Sequence, residues 1–131
     1  MERHYMPVTK YVARWLARAE EDLQVAELLI KENRSANTIC LHSHQSVEKY
    51  LKGFLAYHEK HIRKIHELNM IVAECSKIDA SFAELHDDAV TLNAFYTPAR
   101  YPADMPDFTM KDAKKACEAA QRIEKFVLSK F

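Results

Sequence analysis

The sequence has a single glycine, Gly53, among 131 residues. That scarcity excludes every Gly-rich phosphate loop and every dinucleotide fingerprint, which need several glycines where the backbone approaches a ligand. Only four prolines occur, and three of them (Pro98, Pro102, Pro106) share one short segment. Cysteine is scarce too: Cys40, Cys75 and Cys117 stand far apart, an odd number with no paired spacing. They make neither a disulfide framework nor a zinc site, and reduced thiols in a cytoplasmic protein are the expectation. Excess charge is missing as well, with 19 basic residues against 19 acidic ones. A neutral balance argues against a strongly basic nucleic-acid clamp or a polybasic membrane binder, though a local basic patch stays open. No apolar run approaches the roughly 18 residues that span a bilayer. The N-terminus carries an acidic residue at once and no apolar stretch, so neither a signal peptide nor a membrane partner is expected.

What is abundant points to helices. Apolar types make up 48% and charged types 29%, which favours one globular domain over residues 1–131. Ala, Leu, Glu and Lys dominate, side chains that lose little freedom on a helix. Thr9 caps a first expected helix over about 10–31, with a stripe of Tyr11, Val12, Trp15, Ala19, Leu23, Ala26, Leu29 and Ile30 at helical spacing. Ser35 is placed as the cap of a second helix to about Glu59, striped by Cys40, Val47, Leu51, Phe54 and Leu55. A short third helix is expected near His66–Ser76, and a fourth from Asp79 to about Tyr96. Residues 97–108 read as the one long loop. Thr109 and Asp112 form the pattern of a capping box for a last helix whose stripe is Ala113, Ala116, Cys117, Ala120, Ile123 and Val127. Long amphipathic helices joined by short loops favour an all-α, five-helix, up-and-down antiparallel bundle.

Polar residues interrupt these stripes. Asp22 falls inside the first helix's apolar arc, His44 near the centre of the second's, and Glu48 at its margin one turn on. Asn93 shares an edge with Ala89 and Phe82. Buried ionisable groups need partners, so Asp22, His44 and Arg100, from the loop, are expected to meet inside the bundle. A network that only fixes helix register, or a cleft that binds a phosphate-bearing ligand, would both fit. Gln45, Lys49 and Lys52 form a polar stripe on the opposite side of the second helix: a solvated face, or else a phosphate or partner surface. His42 and His44 point about 200° apart on a helix, too far to share a metal. No metal or cofactor site is expected.

Several segments resemble, in order and distance, the HEPN family (higher eukaryotes and prokaryotes nucleotide-binding). Leu41-His42-Ser43-His44-Gln45-Ser46-Val47-Glu48-Lys49-Tyr50-Leu51-Lys52 is similar to its second-helix signature, and Ala19-Glu20-Glu21-Asp22-Leu23 to its first-helix motif. Ile65-His66-Glu67-Leu68 and Leu92-Asn93-Ala94-Phe95-Tyr96-Thr97-Pro98-Ala99-Arg100-Tyr101-Pro102 complete the set. The resemblance implies a HEPN bundle that is commonly a homodimer, often encoded beside a minimal nucleotidyltransferase as a toxin–antitoxin-like pair, and a nucleotide or RNA ligand. It also implies that Asp22, His44, Glu48, Lys49, Asn93 and Arg100 belong to a subgroup signature. Lys49, Lys52 and Arg100 would then contact phosphates while Tyr101 stacks on a base. Family ribonucleases use an Arg and a His with four to six residues between them. Here Arg34 and His42 have seven between, Arg63 and His66 two, and no His follows Arg100. A non-catalytic homodimeric interaction module and a divergent metal-independent ribonuclease are the alternatives. Ile65 also stands where a capping Thr is usual at the third helix.

Overall fold

The computed structural model describes residues 7–62, 64–95 and 107–131. Among them run α1 (Lys10–Lys31), α2 (Ala36–Tyr57), α3 (Leu68–Ser76), a 3-10 turn (Ala80–Leu85), α4 (His86–Asn93) and α5 (Met110–Leu128), with no strand. α2 is the hub: it packs most extensively on α1, then on α5, and also touches α3 and α4.

Local chemistry explains the ends. Thr9 accepts a hydrogen bond from the Val12 amide at 3.2 Å, and Thr109 with Asp112 forms the expected reciprocal box. The expected Ser35 cap fails: Ser35 sits in the left-handed region (φ 63°) and its side chain makes no cap bond. The chain has just left α1 through Asn33, also left-handed at φ 54°. Arg34 then donates to the Leu29 carbonyl and Asn33 to that of Ile30, which ties off two orphan carbonyls. Glu59 closes α2 slightly earlier than expected by the same device, at φ 56°, with Lys60 bonded to Leu55 and Glu59 to Ala56. Non-glycine residues therefore take conformations that glycine usually supplies.

The expected third helix starts later, at Leu68, because Glu67 gives no side-chain cap. Asn93 of α4 substitutes, its Oδ1 accepting from the Leu68 amide at 2.9 Å while its Nδ2 donates to Asn69 Oδ1 at 2.6 Å. The fourth helix is shorter than expected. Asp79 does cap, accepting from Ser81, but it starts a 3-10 turn and α4 proper begins at His86.

Alanines at 113, 116, 119 and 120 are buried on α5, and Ala19 and Ala26 on α1, so both helices lie close to α2. Ser46 donates to the Ala19 carbonyl at 2.8 Å across the α1–α2 seam. A Cβ on Gly53 would stand 3.0 Å from Leu16 Cδ2 and 3.3 Å from Trp15 Cβ, so the lone glycine admits α1 where the two helices approach. Phe54, Phe82 and Phe126 stack in the middle, with ring centroids 4.3 and 5.0 Å apart.

All three cysteines are buried. Burial pushes the Cys40 and Cys117 thiols up to about 11 and that of Cys75 to about 12. Only a thiolate reacts at speed. At pH 8 a thiol-specific reagent should therefore label the native protein far more slowly than the denatured one, which should take up three equivalents. A cysteine that reacts as fast before denaturation as after would contradict this packing.

Candidate functional site

Asp22 and His44 are both buried, at 8% and 1% exposure, yet they do not meet. α2 sends their partners to different sides. Asp22 reaches across from α1 to Lys49 Nζ, and its Oδ1 lies 2.9 Å from His42 Nδ1. His42 and Lys49 are two turns apart on α2, so one carboxylate bridges both. The expected union of Asp22 with His44 is thus corrected: positions 42 and 44 diverge by about 200° around a helix, and Asp22 faces the first.

On the other side, Glu48 holds Lys52 at 3.0 Å within α2 and His66 at 3.1 Å from the segment before α3. His44 lies next to this pair. Burial pulls its imidazole down to about 4, opposed by the Glu48 charge and by hydrogen bonding with the Asn93 side chain and the His66 backbone. His44 is therefore neutral at pH 7 and out of contact with solvent. Asn93, capping α3 from α4, completes the cluster.

Lys52 overturns the expectation of a solvated stripe. It is only 6% exposed, with its charge matched by Glu48, which leaves it poorly placed to meet a phosphate. Arg100 and Tyr101 lie outside the described residues. No group of three or more His, Cys, Asp or Glu side chains suited to a metal ion occurs among the described residues.

Sequence reasoning missed a third feature. Lys49 lines an open groove of about 200 Å³ together with Tyr11, Arg14, Trp15 and Arg18 of α1. Tyr11 and Trp15 belong to the apolar stripe by their period, but Tyr11 is 59% exposed. The two rings stand 6.3 Å apart at 82°. The available signal was aromatic and basic residues interleaved one helical turn apart, Tyr11 with Trp15 and Arg14 with Arg18. The groove's lining is almost wholly apolar, formed by the two rings and the stems of the basic side chains.

The fold and sequence have known relatives. The family model described as "HEPN domain" matches residues 12–130. The protein "Putative toxin MJ1304" of Methanocaldococcus jannaschii is 28% identical over an alignment of 130 residues, covering 87% of this chain and 84% of that one. The crystal structure of TT1696 from Thermus thermophilus superposes with a TM-score of 0.79 at 25% identity, covering 94% of this chain and all of that one. ST0689, an archaeal HEPN homologue, gives 0.72 at 27% identity, covering 90% and 95%. No helix among the described residues is long and apolar enough to cross a membrane.

Proposed function

This chain belongs to the HEPN domain family, and on that premise we propose that it is a cytoplasmic RNA- or nucleotide-binding protein. It would act as the toxin-like half of a pair with a minimal nucleotidyltransferase, and as a homodimer. The relative named a toxin supports the pairing. The observation that carries the binding is the pair of exposed arginines, Arg14 and Arg18, one turn apart beside Tyr11 and Trp15 in a chain of zero net charge. Cations so concentrated favour a polyanion locally without making the whole surface sticky.

The phosphate contacts that the resemblance gives to Lys49, Lys52 and Arg100 therefore move: Lys52 is neutralised by Glu48 and Lys49 is paired with Asp22, so the exposed Arg14 and Arg18 take the leading part. Binding is favoured over cleavage. Metal-free RNA cleavage needs a base and a cation on one phosphate, and His44 is buried where no phosphodiester reaches it. The cluster of His44, Glu48, Lys52, His66 and Asn93 suits a register-fixing role between α2, α3 and α4.

Wild-type protein should bind a labelled RNA oligonucleotide in low salt, with affinity falling steeply as salt rises. The double variant Arg14→Glu/Arg18→Glu should lose about tenfold or more and flatten the logarithmic salt slope by about two. Filter binding across a salt series, with circular dichroism to verify the fold, makes the measurement. Wild type that binds neither RNA nor nucleotide in low salt would end this reading.

A further inference from the structure

The α1 groove has a floor and a rim of different chemistry. The floor is the ring surface of Tyr11 and Trp15 with the aliphatic stems of the basic side chains, enclosing about 200 Å³ of open space. The rim carries Arg14 and Arg18, both exposed and neither tied to a carboxylate among the described residues. We infer that this groove docks an acidic amphipathic helix of a protein partner, with apolar side chains on the rings and carboxylates on the two arginines. The inference goes beyond the RNA reading. That reading uses the guanidinium heads, this one needs the ring floor between them, and each can fail without the other.

Three observations support it. First, Tyr11, Arg14, Trp15 and Arg18 are the residue types that anchor protein interfaces, where a broad apolar body and a polar tip serve together. Secondly, the floor is set before anything binds. Gly53 lets α2 approach to 3.3 Å from Trp15 Cβ, the indole Nε1 is buried, and the Tyr11 ring stands edge-on to the indole at 82°. A preformed floor costs little ordering entropy on binding. Thirdly, the spacing is that of a helix. Tyr11 and Trp15 lie one turn apart, as do Arg14 and Arg18, so rings and charges repeat together about every 6 Å. A partner helix with apolar residues at i and i+4 and acidic residues beside them matches both repeats.

Charge selects the occupant. Asp22 holds the Lys49 ammonium, so the two arginines set the sign of the rim, and a basic helix is repelled. A second copy docking through the same face would bring four guanidinium groups into one interface. A homodimer therefore uses another face.

The test is selection from a tryptophan-free library of displayed peptides roughly 15 residues long, about four helical turns, against the immobilised full protein. Trp15 is the only tryptophan in the chain, so its emission places each winner once the peptide is synthesised. Winners should be acidic, carry apolar residues one turn apart and shift the Trp15 emission. Tyr11→Ala should weaken them about tenfold, the loss of one interface anchor, with an unchanged far-ultraviolet spectrum. Arg14→Glu/Arg18→Glu should abolish their binding, and a version of the winner with lysines for its acids should bind that variant and not wild type. Winners that are not acidic, or that bind both variants as tightly as wild type, would overturn the inference. So would a Trp15 emission that shifts with protein concentration alone, the mark of a second copy on this face. An RNA oligonucleotide that shifts Trp15 emission while no peptide is selected would give the groove to nucleic acid and leave the RNA reading standing. Acidic winners together with no RNA binding in low salt would remove that reading and keep this one.

Discussion

Lowering the pH from 7 to 4 should cost this protein about 3 kcal/mol of stability that a His44→Gln variant does not lose. The imidazole of His44 is pulled from its ordinary 6.5 down to about 4, chiefly by burial. Between those values the unfolded chain binds a proton that the folded chain refuses. Protonation therefore favours unfolding, at about 1.4 kcal/mol per pH unit at most. The stability is fully present above pH 6.5 and is lost as the pH falls towards 4. Glu48, the Asn93 side chain and the His66 backbone favour the charged form but do not outweigh desolvation. His58 is lowered too, again mainly by burial, and bends the curve the same way. Asp79 and Asp112 are held below the usual carboxylate range, so their contributions fade only at lower pH. Comparison with His44→Gln removes these shared terms, since the amide fills a similar volume and does not titrate. Urea unfolding at half-unit steps of pH measures both curves. Parallel curves would mean that His44 is not the buried neutral group described here.

That histidine shows how far one-dimensional pattern reaches. Helical periodicity locates Asp22 and His44 as buried, and both are, because the angle around a helix sets depth. It cannot pair them. Two buried polar groups on neighbouring helices meet only if the relative rotation of the helices allows it, and that rotation is fixed by Gly53, Ala19 and Ser46 at the α1–α2 seam. Lys52 illustrates the opposite failure. A lysine on a polar stripe belongs in water by pattern, but its stem lies in the α2–α3 packing and Glu48 neutralises its tip. Caps built from neighbours in sequence, Thr9 and the Thr109–Asp112 box, are legible. The cap supplied to α3 by Asn93 from 25 residues away is not. The groove is hidden in the sequence because Tyr11 and Trp15 fit the apolar period. Their exposure depends on whether anything covers the N-terminal part of α1.

The carboxylate of Asp22 gives the second large effect, with two consequences of opposite sign. Asp22→Ala should destabilise the protein by about 2–3 kcal/mol, because it strands the ammonium of Lys49 in a half-buried seam and removes the partner of His42. The same change should tighten binding of a labelled RNA oligonucleotide by several-fold in low salt. In wild type, Asp22 offsets part of the positive potential that Arg14, Arg18 and Lys49 create. Its removal unmasks one full charge beside the phosphates, an advantage that salt screens away. A purely structural Asp22 would lower stability and leave affinity unchanged or reduced. The Asp22→Ala/Lys49→Met double variant separates the two effects: with no stranded ammonium, stability should recover in part, while the gain in affinity disappears with the cation that produced it. Thermal melts and oligonucleotide titrations on the single and double variants supply every corner of the cycle. Weaker binding by Asp22→Ala, in protein shown to be folded, would mean that the carboxylate positions Lys49 for its ligand more than it neutralises it.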